Sequence, residues 1–228
     1  KGSACVMTQS ILTAAGFRTG LYISPHLDQF NERLSIDGQM ISDADLRRLA
    51  ARVRAAAETL GEEPTDFELI TAMAFCWFEE QHCDLVVLEV GMGGRWDATS
   101  ATDPVAVAIT GIGLDHTRIL GDTLEAIAGE KAAVIKPGRL VVLGEGAHEA
   151  SVQRVMDARC RECGVVPLVV NHATTKVPAH VGDTVEFSCT TPRAIYTSSM
   201  VKPAYQPQNA AYGNMLCEGY LGRELDHD

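Results

Sequence analysis

β-rich apolar runs alternate with helical stripes along most of this chain, and that alternation restricts the fold more than any other feature. Residues 83–90 read Cys-Asp-Leu-Val-Val-Leu-Glu-Val and end at glycines, as a strand buried on both faces would. Residues 104–110, 140–143 and 167–170 repeat the pattern, and residues 19–24 form a shorter strand of the same kind. Between these runs the apolar residues recur at helical spacing. A helix is expected over 4–15. Ser42 and Asp45 form a capping box, and Leu46, Leu49, Val53 and Leu60 mark one stripe of a helix reaching to about Gly61. Another helix opens near Asp66 and turns Phe67, Ile70, Ala74, Phe75 and Phe78 inward. Further helices cover about 122–135, stopped by Pro137 and Gly138, then about 149–162, and a last stretch from near Gln208. Repeated strand–helix units predict an α/β fold: a mostly parallel sheet with helices on both faces, its ligands beyond the carboxyl ends of the strands. Between 171 and 203 helix formers thin out. Residues 183–188 alternate there, which predicts a small antiparallel section near the C-terminus.

With 228 residues, 46% of them hydrophobic, the chain can bury one substantial core, with part of a second domain at most. Its net charge of −11 speaks against a nucleic-acid partner, because neutralising phosphates needs clustered lysine and arginine. No apolar run approaches the roughly 20 residues that span a bilayer, so no membrane association is expected. Lys1-Gly2-Ser3 leads into a mixed stretch unlike a signal peptide, and the cytoplasm is the expected location. The seven cysteines are an odd number in a chain too large to need staples, and are expected as reduced thiols. Cys160 and Cys163 have C-x-x-C spacing, but no second pair follows to complete a zinc site. They read as two helix positions without a function.

Polar residues gather just after the predicted strands, where this architecture places a site. Ser24-Pro25-His26 follows the first strand. Glu89 closes the 83–90 strand and leads into Gly91-Met92-Gly93-Gly94-Arg95 and Asp97. Asp115-His116 follows the next strand through Gly111 and Gly113. Each alone is consistent with a polar loop capping a sheet. Three consecutive turns carrying a hydroxyl, a carboxylate and an imidazole suit a hard divalent metal that handles phosphate oxygens. Lys1-Gly2-Ser3 at a helix start resembles the second half of a phosphate-cradling loop, whose glycines would precede the lysine.

On these motifs the chain resembles the folylpolyglutamate synthase family, dihydrofolate synthases included, a branch of the Mur ligase superfamily. The matching stretches run in order: Lys1-Gly2-Ser3; residues 22–26 with 30–33; residues 88–95 with 97–99; residues 113–117 with 120–122; and Glu130-Lys131-Ala132. A weaker match covers Gln206 to Ala210, and similarity is dense to about residue 145. The resemblance implies a P-loop-type fold and an ATP-dependent ligase that joins L-glutamate to a carboxylate of folate, or to dihydropteroate, through an acyl phosphate. It implies that residues 1–228 are the central ATP-binding domain, without its first strand, without the glycine-rich start of the loop, and without the C-terminal glutamate-ligase domain. Residues 1–228 alone are then expected to hold ATP weakly and not to turn over. A monomer is expected.

The resemblance also implies roles. Lys1, Gly2 and Ser3 would hold ATP, with Ser3 on a first Mg2+ and Asn209 near adenine. Glu89 would be shared between two Mg2+ sites, with Ser24 and His116 on the second ion. Lys131 matches a lysine that is carbamylated in the superfamily. Substrate would meet Ser24, Pro25, His26 and Arg33, and the loop with Gly93, Gly94, Arg95, Asp97, Ala98 and Thr99, where the family's pterin pocket forms. Lys1, His116 and Lys131 form the expected catalytic set. Ser100 stands where the family has asparagine, and Trp96 where it has leucine. By local reading alone, a general base is the competing role for His116, and Lys131 is a surface lysine paired with Glu125 or Glu130; the matched motif favours the metal ligand and the carbamate. Other Mur-type amide ligases, or a non-catalytic nucleotide- or metal-binding module, are the alternatives.

Overall fold

The computed structural model describes every residue except 148, 171–172, 176–179, 181, 202–204 and 227–228. Its helices are α1 (Gly2–Ala14), α2 (Asp43–Ala57), α3 (Asp66–Glu80), α4 (Thr117–Leu120), α5 (Leu124–Ala132), α6 (Ala150–Glu162) and α7 (Gln206–Leu221). Its strands are β1 (Thr19–Tyr22), β2 (Leu34–Ile36), β3 (Gln39–Met40), β4 (Leu85–Leu88), β5 (Ala106–Gly111), β6 (Leu140–Gly146), β7 (Leu168–Val169), β8 (Ala173–Thr175), β9 (Val185–Thr190) and β10 (Ile195–Met200). Short 3-10 helices cover Phe30–Arg33 and Ala98–Ala101.

The parallel strands fall into two groups. β1 pairs parallel with β4, and β5, β6 and β7 form a parallel sheet of three. β8, β9 and β10 form the antiparallel section near the C-terminus. Strand periodicity explains how helices cover both faces. Val107, Ile109, Val141 and Leu143 point into a core with α5 and α6, which contribute Ala128, Ala132, Val152 and Met156. The intervening Ala108 and Val142 face Ala4 of α1 and Tyr212 of α7. The same division holds at the other sheet, where Tyr22 and Leu88 meet α2 and α3, and Leu85 and Val87 meet α1 and α7. Gly20 lies on the α3 face, where a Cβ would come within 2.6 Å of the Phe78 ring, so only glycine lets the strand approach that closely.

The starts of α2 and α3 follow their capping residues. Ser42 accepts the Asp45 amide, and Thr65 forms a full capping box with Glu68. Several details depart from the sequence reading. α2 stops at Ala57, and Leu60 lies outside it, 60% exposed, because an apolar stripe cannot prolong a helix past its packing partner. On α3, Thr71, Met73, Ala74, Trp77 and Phe78 are buried, while Phe75 is only half-buried. α5 spans Leu124–Ala132, and the single turn α4 precedes it. β4 is not buried on both faces: β1 is its only partner among the described residues, and Val86 is 39% exposed. The expected strand at 183–188 starts two residues later, as β9, and part of 171–203 lies outside the described residues.

Sequence reading also passed over the β2–β3 hairpin. Its two-residue turn is Asp37-Gly38, both with positive φ (50° and 79°), the pairing that favours a type I′ turn. Asp37 then accepts the Thr19 amide at 2.8 Å and fastens the hairpin to β1. Cys160 and Cys163 are buried on the α6 side of the core, and all seven cysteines are free thiols. No helix among the described residues is long and apolar enough to cross a membrane.

Leu49 is fully buried between α2, α3 and β2, whereas Leu60 is exposed. Leu49→Ala is therefore expected to lower the unfolding free energy by about 2–5 kcal/mol, and Leu60→Ala to stay within about 0.5 kcal/mol. Urea denaturation of the two variants checks this, and a large effect at Leu60 would contradict the placement.

Candidate functional site

The site is organised by a carboxylate taken out of water. Glu89 directly follows β4 and is 5% exposed. A buried carboxylate needs compensation. One Glu89 oxygen accepts the Ser24 backbone amide at 3.1 Å, and the other lies 3.9 Å from Lys1 Nζ. Gly2 lies against the same group, its Cβ position 3.4 Å from Glu89 Oε2. Lys1 also donates to the carbonyls of Val90 at 2.8 Å and Gly91 at 3.3 Å. The fold thus draws the start of α1, the turn after β1 and the end of β4 onto one point.

The 91–99 loop is built to be rigid. Asp97 Oδ1 accepts the amide and hydroxyl of Thr99, and its other oxygen accepts the Met92 amide. Ser100 Oγ donates to the Gly94 carbonyl. Arg95 pairs with Glu130 at 2.9 Å, and its amide donates to the Glu130 carbonyl. At Gly94 a Cβ would fall 2.8 Å from that carbonyl and 3.2 Å from the Lys131 carbonyl. The loop therefore rests on the last turn of α5, beside Lys131. Gly93, with φ of 69°, adopts the left-handed conformation that glycine favours. Ala98 and Thr99 open the following 3-10 helix.

After the cis Ser24–Pro25 bond, His26 accepts from Arg33 Nε at 2.9 Å through Nδ1 and packs on Phe30. Arg33 also lies over the Phe30 ring, 5.3 Å from its centroid. A groove of about 520 Å³ opens here between the 30–33 turn, α2 and α3. Phe30, Phe67, Ile70 and Met73 line its apolar walls, and Arg33, Arg54 and Asp66 are its charged groups.

Ser3 Oγ accepts from Gln206 Nε2 at 3.2 Å, and Gln206 in turn accepts from Asn209 Nδ2 at 3.0 Å. His116 is not drawn into the Glu89 cluster by any direct bond. It caps α4 in a left-handed conformation, lies 3.6 Å from the Asp115 carboxylate, and has a half-exposed side chain. Among the described residues no three His, Cys, Asp or Glu side chains stand close enough to hold a metal by themselves. Sequence reasoning gave no role to Gln206 or to Glu130 as the partner of Arg95, because both contacts arise only when distant elements meet.

The Lys131 ammonium is disfavoured. Burial is the main cause and the nearby charge of Lys1 adds to it, while Asp115 and Asp97 work the other way. Its pKa lies below the ordinary 10.5.

No protein-family model matches the chain. A dihydrofolate synthase/folylpolyglutamate synthase of Bacillus subtilis is 43% identical over 155 residues, which cover 66% of this chain and 36% of that protein. The folylpolyglutamate synthase of Arabidopsis thaliana is 40% identical over 182 residues, covering 78% of this chain and 32% of the relative. Among solved structures, an FPGS–AMPPCP complex superimposes with a TM-score of 0.90 at 32% identity, over 100% of this chain and 58% of its own. An FPGS–AMPPCP–folate complex gives the same values. The chain therefore spans 36% of the Bacillus relative and 58% of these structures.

The Lys131 shift has a consequence for stability. A folded-state value below the unfolded one means that the charged form weakens the fold. That penalty is complete below the folded value and disappears as pH rises to the unfolded value. With bicarbonate excluded, Lys131→Met is expected to stabilise the protein at pH 7, and the gain should shrink as pH approaches 10.5. Urea denaturation at both pH values measures it; a gain that does not shrink with pH would place the cause in packing instead of charge.

Proposed function

We propose that this chain, a homologue of the folylpolyglutamate and dihydrofolate synthases, is the central nucleotide-binding part of an ATP-dependent ligase that adds L-glutamate to a carboxylate of folate or of dihydropteroate. The observation that carries the reading is the buried Glu89 carboxylate, held by Lys1 and the Ser24 amide where α1, β1 and β4 converge. AMPPCP bound to close structural neighbours supports ATP as the nucleotide, and folate bound to one of them supports the acceptor.

A carboxylate is a poor electrophile. ATP activates it by passing its γ-phosphoryl group to the carboxylate oxygen, and the amine of glutamate then displaces phosphate. Phosphoryl transfer asks a protein for position and charge neutralisation above all. Lys1, at the start of α1 with its ammonium at Val90, Gly91 and Glu89, would meet the phosphates. The groove between α2 and α3 has aromatic and aliphatic walls for a ring system, with Arg33 at the His26 side for an anionic end. Pro25 lies in the turn after β1, and Ala98 and Thr99 open the 3-10 helix that follows the glycine loop; in this reading both turns would meet the substrate.

The donor chemistry here fits Mg2+. Glu89 is a hard oxygen anion whose one cationic partner among the described residues, Lys1, stands at the long distance of 3.9 Å, and magnesium keeps several waters and phosphate oxygens beside one or two carboxylates. Ser3 and Glu89 would hold one ion, and Glu89, Ser24 and His116 a second. Bound there, Mg2+ would neutralise charge gathering on the transferred phosphate. Lys131, its ammonium disfavoured by burial, has the more accessible neutral amine that carbon dioxide requires. As a carbamate it would add an anion beside the metals. Cytoplasmic location and a monomeric state complete the reading.

A full-length enzyme carrying these residues is expected to form folate–glutamate conjugates with ATP and to ignore UDP-muramoyl peptides; the reverse preference would move it to the peptidoglycan branch. In that enzyme Glu89→Gln should reduce kcat by orders of magnitude with the fold intact by circular dichroism. Near-normal turnover at saturating magnesium would reduce Glu89 to a sheet-edge cap.

Lys131→Ala should likewise remove most activity, and short carboxylic acids should restore part of it by filling the vacated anionic position. If Lys131→Ala keeps normal turnover in carbon-dioxide-depleted buffer, the carbamate has no part in the reaction.

A further inference from the structure

Three side chains from opposite ends of the chain form a directed hydrogen-bond relay. Asn209 Nδ2 donates to Gln206 Oε1 at 3.0 Å, and Gln206 Nε2 donates to Ser3 Oγ at 3.2 Å. Gln206 opens α7 and Ser3 lies in the first turn of α1, 203 positions away. The two helices are held together by shared cores that include Leu12 with Cys217, and Ala4 with Ala211 and Met215.

An amide has one accepting end and one donating end, and that fixes the direction of the relay. Because Asn209 donates, the oxygen of Gln206 is taken and its NH2 group faces Ser3. Ser3 Oγ must then accept, which leaves it a second lone pair and a proton directed elsewhere. Were Asn209 turned over, Gln206 would turn with it. Its oxygen would face Ser3 and capture that proton.

We propose that Gln206 is a positioning residue that transmits the orientation of the Asn209 amide to the Ser3 hydroxyl, so that base recognition and the cation-facing serine are set together. The inference rests on the proposed reading in which Asn209 meets adenine and Ser3 meets Mg2+. A bidentate asparagine–adenine pair accepts from the exocyclic amino group and donates one Nδ2 hydrogen to a ring nitrogen. The second Nδ2 hydrogen remains for Gln206, which is the polarity observed. Guanine presents an acceptor, O6, where adenine presents that amino group, and does not hold the asparagine in this orientation. Ser3, fixed as an acceptor, offers its free lone pair to a cation and its proton to a phosphate oxygen.

The test is calorimetric and uses a full-length protein carrying these residues. AMPPCP and its guanine counterpart are titrated with and without MgCl2 into the wild type, Gln206→Met, Ser3→Ala and the double variant. Methionine keeps the length of glutamine and removes both amide functions. Losing one positioned hydrogen bond is expected to lower the magnesium-dependent gain in AMPPCP affinity about tenfold in Gln206→Met. The preference for adenine over guanine should fall with it. If Gln206 acts through Ser3, the double variant loses no more than Ser3→Ala alone. Additive losses would overturn the relay. So would a Gln206→Met protein with a lowered Tm but an unchanged magnesium gain, the pattern of a residue that only fastens α1 to α7. If the wild type itself binds neither nucleotide, the nucleotide reading fails and the relay fails with it.

Discussion

Everything at the candidate site depends on giving partners to one carboxylate that is nearly out of water. Glu89 is 5% exposed, and a carboxylate buried that deeply needs hydrogen-bonding and ionic partners in place of water. Its two partners among the described residues come from different parts of the chain, the Lys1 ammonium and the Ser24 amide. Satisfying the charge therefore fixes the start of α1 and the turn after β1 against the end of β4. The compensation is incomplete by geometry, since Lys1 stands at 3.9 Å and spends its shortest bond on the Val90 carbonyl. An anion in that condition retains acceptor capacity that its protein partners do not fill, which is the property the proposed Mg2+ site draws on.

Around that charge, close approach is managed by missing side chains. Gly20 admits the Phe78 ring against β1, Gly91 lies under Phe67, and Gly94 rests on the carbonyls of Glu130 and Lys131. Each glycine removes the methyl group that would hold two elements apart. The 91–99 loop then gains its stiffness from polar staples, with Asp97 holding Thr99 and Met92, and Arg95 holding Glu130. Asp97 is consequently committed within its own loop. The indole of Trp96, 89% exposed between these two fixed residues, is carried on a rigid turn.

A second buried carboxylate is satisfied in a different way. Glu218 on α7 is 1% exposed and accepts from the hydroxyls of Thr191 and Tyr196 and from the Arg193 amide. Those bonds tie the β9–β10 hairpin to α7. Glu218 differs from Glu89 in having its acceptor capacity met by neutral donors of the protein itself, and it lies away from the turns that carry Ser24 and Lys1.

The sequence by itself determined the alternation of strands and helices, the capping of α2 at Ser42, and the grouping of functional residue types after β1, β4 and β5. Those features are local: a period, a cap or a motif is complete within a few residues. The Asp37-Gly38 turn was equally local and could have been read from its dipeptide. The tertiary structure alone decided which of those residues meet. Leu60 and Phe75 fit the helical period yet are not buried in the core, because burial depends on what the facing element supplies. β4 has the composition of an interior strand, but its burial is set by its neighbours. The pairing of Arg95 with Glu130 and of Gln206 with Ser3 joins positions 35 and 203 residues apart, and a contact across that distance has no local signature. It exists only because packed helices and sheets fix distant side chains at hydrogen-bonding range.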